Sequence, residues 1–218
     1  MIKTYSKKHD GDMKLSDSFR VREFACKDGS DTIIIDTALV EYLQRIRNWA
    51  GYPLIISSGY RTPEHNAKIG GSRSSYHTKG RAADIYVEDR KKSISQIASF
   101  AQAIGIKGIE LNLDSNYVHI DTRTKKYYWI HTDKKDTTVT YFISPCQWKE
   151  PSKSLKYLSS GDNVKWLQWW LRLWGYDISI DGKFGGNTDK AVRDVQKRRG
   201  LKVDGIAGAK TRQALKGF

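Results

Sequence analysis

The chain has 218 residues, a length that fits one large domain or two small ones. Charged residues make up 28% and the mean hydropathy is −0.62, and no apolar stretch is long enough to predict a membrane span. The formal net charge is +14, to which residues 1–150 contribute +6 and residues 151–218 contribute +8. This charge favours polyanionic partners, and nucleic acid and other anionic polymers both satisfy it.

The N-terminal segment and the cysteines carry little chemistry. Residues 1–14 are polar and predict a loose arm. They contain no apolar run of the kind found in signal peptides, so we expect synthesis in the cytoplasm without export by the usual route. Cys26 and Cys146 are too few for a disulfide framework and lie outside any C-x-x-C pair, which predicts two free thiols with packing roles.

Two amphipathic helices are predicted in the first two thirds of the chain. In residues 36–50 apolar side chains recur at helical spacing, Asp36 can cap the start, and Gly51 can end the helix. Residues 93–104 show the same spacing and are followed by a glycine. Each helix therefore offers one apolar stripe to a core.

Short apolar and β-branched runs predict a sheet. The predicted strands are residues 53–58, 81–87, 108–111 and 117–121, with an edge hairpin formed by residues 127–129 and 138–143. Two helices among strands with hairpin-length gaps favour the α+β class, with a largely antiparallel sheet and flanking helices. Residues 59–79 lack periodicity and predict a long loop, and loops of that length are usually functional or disordered.

Polar side chains fall on one face of two of these strands. Alternation places Asp84 opposite Ile85, and it places His119 and Asp121 opposite Val118. Both strands can therefore present polar groups to one cleft while their other residues point into a core.

With His77, seven positions before Asp84, these residues have the composition of a metal site. Two imidazole nitrogens and one carboxylate oxygen leave a fourth position to water, as in catalytic zinc sites, whereas structural zinc is closed by four protein ligands. The mixed N/O set also favours zinc. We therefore predict that His77, Asp84 and His119 bind Zn²⁺, the alternative being two ordinary histidines and a capping aspartate.

The C-terminal third contains a repeat. The pattern D-G-x-x-G-x-x-T occurs at residues 181–188 and again at residues 204–211, each time as a glycine turn that leads into a helix. Residues 145–154, with two prolines, two lysines and two serines, predict a linker before it.

Several of these motifs resemble known families. The runs S-S-G-Y-R-T-P at residues 57–63, S-x-H-x-x-G-x-A-x-D at residues 75–84 and V-H-I-D at residues 118–121 resemble the M15 family of zinc peptidoglycan peptidases, the group of D-Ala-D-Ala carboxypeptidases and endolysins. The repeat resembles the three-helix peptidoglycan-binding domain.

The resemblance implies a zinc peptidase domain at residues 1–144, a linker at residues 145–154 and a small three-helix all-α domain at residues 155–218. It also implies that the zinc ligands are His77, Asp84 and His119.

Substrate-binding residues follow from the same resemblance. Arg61 is expected to bind a stem-peptide carboxylate, or a carbonyl oxygen as charge develops on it during catalysis. Ser75 offers a hydroxyl close to the metal. Tyr60 completes the predicted substrate-binding group, although we expect it to shape the loop more than to take part in chemistry.

The general base is left open by the sequence. Many relatives carry Glu or Asp three residues before the last histidine ligand, but here that position is Asn116, which cannot accept a proton. Asp121 is the first candidate for this catalytic role, followed by Asp114 and Glu110. Asp121 is equally well interpreted as a group that orients His119.

Four tryptophans crowd the helix before the repeat. Some of the apolar residues there form one stripe at helical spacing that indicates core: Val164, Leu167, Leu171 and Trp174. Trp166, Trp169 and Trp170 fall on a neighbouring face, which is either a wider core stripe or an aromatic surface that stacks on glycan.

The resemblance therefore implies a zinc-dependent hydrolase of the peptidoglycan stem peptide. We expect a monomer that acts at the bacterial wall after release through a holin or by lysis. Both D-Ala-D-Ala and L-Ala-D-Glu bonds remain possible. A catalytically inactive wall-binding protein with a structural zinc is the main alternative. A nucleic-acid-binding protein is disfavoured, because no zinc-finger or RNA-recognition signature is found.

Overall fold

The computed structural model describes residues 1–218 except for the side chain of Arg90. The chain divides into two compact units, Met1–Ile143 and Ser144–Phe218. No helix in the described part of the chain is long and apolar enough to span a membrane.

The N-terminal segment is ordered, so the predicted loose arm is wrong. Strand β1 (Ile2–Ser6) pairs antiparallel with β2 (Thr32–Asp36), and the short helix α1 (Lys7–Asp10) follows it. Most of β1 is exposed and polar, so it has no alternating apolar pattern. Backbone pairing with β2 holds this segment in place, and hydrophobicity gives no sign of such pairing.

A larger sheet carries the rest of the first unit. Its strands are β3 (Leu54–Ser58), β4 (Ala82–Val87), β5 (Gly108–Asn112), β6 (Tyr117–Asp121), β7 (Tyr127–Thr132) and β8 (Lys135–Val139). They are arranged in the order β3-β4-β6-β5-β7-β8, with β5 and β7 parallel and the other neighbours antiparallel. The α+β prediction with a largely antiparallel sheet is confirmed. The edge hairpin forms, although its second strand begins before the predicted segment.

Two long helices flank this sheet. Helix α2 (Thr37–Ala50) begins at the Asp36 cap and ends at Gly51, which has a left-handed backbone (φ 72°). Helix α4 (Ile94–Ala103) begins with a capping box at Ser93. Both predicted helices are confirmed. The predicted long loop contains an additional short helix, α3 (Pro63–Lys68), which is capped by the Thr62 side chain.

The two faces of the sheet differ in chemistry. Helices α2 and α4 contact the sheet, and alternate strand residues are fully buried in the apolar core, among them Ala83, Ile85, Val118, Ile120 and Ile109. The residues between them point to the opposite face by the two-residue period of a strand. That second face holds the polar groups described below.

The second unit contains three helices, α5 (Asp162–Leu173), α6 (Gly186–Arg198) and α7 (Ala209–Leu215). The tryptophans of this unit's first helix and its C-cap are all buried: Trp166, Trp169, Trp170 and Trp174. The core interpretation of these residues is therefore confirmed, and they do not form an exposed surface for stacking on glycan.

Candidate metal centre

One row of side chains crosses the polar face of the sheet from strand to strand. Ser58 pairs with Asp84, Asp84 with His119, His119 with Glu110, and Glu110 with Trp129. Side chains at directly paired positions have their Cβ atoms roughly 4.5–5.5 Å apart. Strand register alone therefore brings an imidazole and two carboxylates together.

His77 reaches this row from a single 3₁₀ turn, His77–Lys79, that precedes β4. The side chain is 2% exposed, and its Nδ1 lies 2.7 Å from the carbonyl oxygen of Gly59. A carbonyl can only accept a hydrogen bond, so Nδ1 carries the proton. Nε2 is then unprotonated, and its lone pair is available to a metal on the side of the row.

Three donor atoms converge at this point. His77 Nε2 lies 3.1 Å from Asp84 Oδ1 and 3.1 Å from His119 Nδ1, and His119 Nδ1 lies 2.9 Å from Asp84 Oδ1. Ligand bonds of about 2.0–2.2 Å in a tetrahedral zinc site place ligand atoms about 3.3–3.6 Å apart. The donor set and its spacing therefore fit zinc with small adjustments, and His77, Asp84 and His119 would be its ligands.

The electrostatics of the three groups are strongly coupled. Burial lowers the pKa of His77. Burial alone would raise the pKa of Asp84, but His77 and His119 outweigh it and hold that pKa well below its usual range. Burial likewise opposes the charged form of His119, yet hydrogen bonds to Asp121 and Asp84 raise its pKa to about 9. The site thus keeps its carboxylate ionised, as a metal ligand must be.

Two family models match the chain. Residues 16–121 match the family model described as Peptidase M15, and residues 160–215 match the model described as a putative peptidoglycan binding domain. The chain carries an M15 peptidase domain. A peptidoglycan-binding domain of the matched family follows it, and the recognition made from the motifs is confirmed.

Individual relatives cover parts of the chain. Peptidoglycan L,D-endopeptidase MepK of Escherichia coli K12 is 33% identical over 101 residues, which is 43% of this chain and 54% of that protein. Spore cortex-lytic enzyme of Bacillus cereus is 48% identical over 58 residues, which is 26% of this chain and 22% of that protein. The chain therefore spans about half of the first relative's length and less of the second's.

Among solved structures, the crystal structure of the SleB N-terminal domain matches at 41% identity and a TM-score of 0.30. The match covers 31% of this chain and 93% of that one.

A cavity of about 340 Å³ opens above the donor atoms of the M15 domain. Arg61 and Ser75 line it, as do the three proposed ligands. Arg61 donates from Nη2 to Asp84 Oδ2 (2.5 Å) and from Nε to Ser58 Oγ (2.7 Å), so it fixes the carboxylate at the centre of the row. Tyr60 is buried and is not part of the cavity lining.

Asp121 lies behind His119 and is almost fully buried. Its Oδ2 is 3.3 Å from His119 Nε2, and the Arg123 guanidinium donates to both of its carboxylate oxygens. Burial would raise the pKa of Asp121, but His119 and Arg123 lower it to about 2. Gly108 is the cross-strand partner, and a Cβ there would lie 2.1 Å from Asp121 Oδ1, so the glycine makes room for this carboxylate.

The other two candidate bases differ in position. Glu110 lines the cavity, and its Oε1 accepts hydrogen bonds from Asn112 Nδ2 (2.9 Å) and the Tyr117 hydroxyl (3.4 Å). Asp114 is exposed in the turn between β5 and β6. Asn116 ends this turn in the left-handed region (φ 54°), which asparagine tolerates better than most residues. The left-handed backbone at position 116 is therefore a structural reason for an asparagine in this turn.

The cavity lining includes Tyr117, which the strand period places on the same face as His119. It also includes residues that were not predicted from the sequence: Tyr76, Arg123 and Trp129. Trp129 belongs to the cross-strand row, and its ring lies 5.6 Å from that of His119. Arg123 comes two residues after Asp121, a spacing that places both side chains on one face of an extended chain. That spacing was the available signal for Arg123, whereas Trp129 required knowledge of the parallel β5–β7 pairing.

Proposed function

We propose that the M15 domain is a zinc-dependent peptidase that hydrolyses an amide bond in the stem peptide of peptidoglycan at the bacterial wall. Residues 155–218 bind the same polymer and are connected to the peptidase by residues 145–154. The convergence of three donor atoms on His77, Asp84 and His119 beneath an open cavity supports this function. Attachment to an immobile polymer raises the local concentration of substrate.

Zinc, when bound, would supply Lewis-acid activation of water and of the scissile carbonyl. The residues around it have separate tasks. His77 and His119 are held in one orientation because each has its second ring nitrogen engaged, by the carbonyl of Gly59 and by Asp121 respectively. Arg61 holds Asp84 from the other side.

Glu110 is the proposed general base. It lies next to His119 in the cross-strand row and lines the same cavity as the proposed ligands. Glu110 accepts the proton of the attacking water and passes it to the leaving amine. We assign Asp121 to orienting His119, because its two oxygens are occupied by Arg123 and His119 behind the cavity.

Substrate contacts are assigned to Arg61 and Ser75. Arg61 lines the cavity and can act on a substrate carbonyl oxygen while it holds Asp84. The Ser75 hydroxyl accepts a hydrogen bond from the backbone N–H of His77 (3.3 Å) and also lines the cavity. Tyr60, which is buried, shapes the loop that supplies Arg61.

The test uses purified protein and isolated sacculi. Mass spectrometry of the digest should show soluble stem-peptide fragments whose masses identify the bond that is cut. A chelator should abolish their release, and added zinc should restore it. His77→Ala should bind less than one zinc per chain and be inactive, whereas His9→Ala, which removes an exposed histidine far along the chain from the motif, should behave as wild type.

Two results would contradict the proposal. Wall binding without any fragment release by zinc-loaded protein would favour the inactive wall-binding alternative. Full activity of the metal-free protein would remove zinc from the reaction.

A further inference from the structure

Arg123 is held in a fixed orientation at the edge of the cavity. Its Nε donates to Asp121 Oδ1 (2.8 Å) and its Nη2 donates to Asp121 Oδ2 (2.6 Å). Because Asp121 is almost fully buried, this two-bond ion pair is shielded from solvent. One edge of the guanidinium is therefore occupied by the protein itself.

Aromatic rings surround the same guanidinium. Its Cζ lies 4.9 Å from the ring centroid of Tyr76, 5.3 Å from that of Tyr127 and 5.3 Å from that of Trp129. Contacts of this length attract a cation to the ring faces and restrict the plane of the guanidinium. Arg123 thus has little rotamer freedom left to lose when a ligand binds.

The second edge of the guanidinium remains available. Arginine has five N–H donors, and the pair with Asp121 uses the edge formed by Nε and Nη2. The edge formed by Nη1 and Nη2 has no hydrogen-bond partner among the described residues, and Arg123 lines the cavity with 18% of its side chain exposed. Two parallel N–H groups at such an edge match the oxygens of one carboxylate.

Arg61 and Arg123 occupy opposite sides of the metal centre. Arg61 is bonded to Asp84, and Arg123 acts on the side of His119 through Asp121. Apart from the histidines, they are the cationic side chains among the described residues of the cavity lining. A substrate that reaches past His119 therefore meets a second, preorganised guanidinium.

We propose that Arg123 is a specificity-determining residue that binds a free carboxylate of the stem peptide, so that the enzyme discriminates against stem peptides in which this carboxylate is amidated. The inference rests on the proposed peptidase function. An amide in place of the carboxylate loses the charge and turns one acceptor oxygen into an NH₂ group that faces an N–H donor.

The test compares soluble muropeptides in which each carboxylate is present either free or amidated. For one carboxylate, amidation should lower kcat/KM of the wild type by roughly 10- to 100-fold, the range expected for hydrogen bonds to a charged group. Arg123→Gln should process the free and amidated forms at similar rates. Lys79→Gln is the matched control: Lys79 is exposed and its Nζ lies 5.2 Å from the same Tyr76 ring, but it does not line the cavity, so discrimination should be unchanged.

Arg123→Lys addresses the possibility that the glutamine variant fails to fold, because lysine keeps the charge beside Asp121 but lacks the second two-donor edge. It should retain zinc and lose most of the discrimination. If either variant slows free and amidated substrates by the same factor, Arg123 only positions Asp121 and the inference is overturned. Wild-type hydrolysis that is indifferent to every amidation overturns it as well, while the proposed function stands. Absence of hydrolysis by the wild type would overturn both.

Discussion

Both units bury polar side chains, but they use them differently. In Met1–Ile143, His77, Asp84 and His119 direct donor atoms at one another beneath a cavity. In Ser144–Phe218, Gln168 and Gln196 are equally buried, yet their side-chain amides are hydrogen-bonded to neighbouring protein groups. Burial of a polar side chain therefore does not by itself indicate a candidate metal site, whereas metal-ligating atoms that converge beneath a cavity do.

The two glutamines occupy equivalent places in the repeat. Gln168 donates to Asp181 Oδ1 (2.7 Å) and accepts from the backbone N–H of Gly182 (2.8 Å). Gln196 donates to Asp204 Oδ1 (2.9 Å) and accepts from the backbone N–H of Gly205 (3.0 Å). Each glutamine thus holds the glycine turn of one D-G-x-x-G-x-x-T copy against a helix, and its role is structural.

The largest expected effect concerns Glu110, the carboxylate that borders the convergent donors. Glu110→Gln keeps the shape of the side chain but cannot accept the proton, so kcat should fall by roughly 10²- to 10⁴-fold with unchanged zinc content. Turnover of a soluble muropeptide and metal analysis measure the two quantities. Asp114→Asn, at an exposed position of the adjacent turn, is the matched control and should remain active.

A near-normal rate for Glu110→Gln would remove Glu110 as the base. Asp121 would then be the next candidate for this role.

The next effect separates Asp121 from the reaction itself. If Asp121 orients His119, Asp121→Asn should weaken zinc binding by roughly 10- to 100-fold, and activity should return when zinc is added in excess. Turnover as a function of added zinc measures this directly. A rate that stays low with the site fully occupied would show that Asp121 takes part in proton transfer.

The sequence predicted the parts of this site better than their arrangement. The period of two correctly placed His119 and Asp121 opposite the core residue Val118. It did not show that Glu110 lies beside His119, because that placement depends on the register of β5 against β6. Glu110 and His119 face each other across the β5–β6 hairpin, and their register depends on the conformation of the turn at residues 113–116, which the strand pattern does not give.

Local signals succeeded where the interactions are local. Asp36 and Gly51 fixed the ends of α2, because a cap and a left-handed glycine act within one turn of the chain. The prediction for residues 2–6 was wrong for the opposite reason. Their strand is mostly polar, and its order comes from pairing with β2, which lies far away in the sequence. The tryptophans of α5 were ambiguous, since helical spacing alone does not give the width of a core stripe.

A smaller effect should come from the glutamines of the second unit. Gln196→Leu leaves the backbone N–H of Gly205 and the carboxylate of Asp204 without this partner, and Gln168→Leu does the same for Gly182 and Asp181. Each change should lower the free energy of unfolding by about 1–3 kcal/mol. Thermal unfolding of the full chain, followed by tryptophan fluorescence, measures the loss.

Zinc content and turnover of soluble muropeptides should not change in these variants. Gln213→Leu, at an exposed position of α7, is the control and should leave unfolding unaffected. A loss of zinc in Gln196→Leu would break the distinction between structural and convergent polar groups.

The smallest effect is expected at an exposed polar pair, which neither converges on a cavity nor saturates a buried group. His131 and Asp136 face each other across the β7–β8 hairpin, with His131 Nδ1 2.6 Å from Asp136 Oδ1 and 42% and 60% of the two side chains exposed. The hydrogen bond to Asp136 raises the pKa of His131. The pair therefore stabilises the fold below the ordinary pKa of histidine, and this contribution is lost as the pH rises through the raised value. Because solvent screens both groups, the contribution at low pH should be roughly 0.2–1 kcal/mol.

His131→Gln should accordingly unfold at a slightly lower temperature than wild type near pH 5.5 and at the same temperature near pH 9. A difference that is equal at both pH values would mean that packing, and not the ion pair, accounts for the contribution of His131.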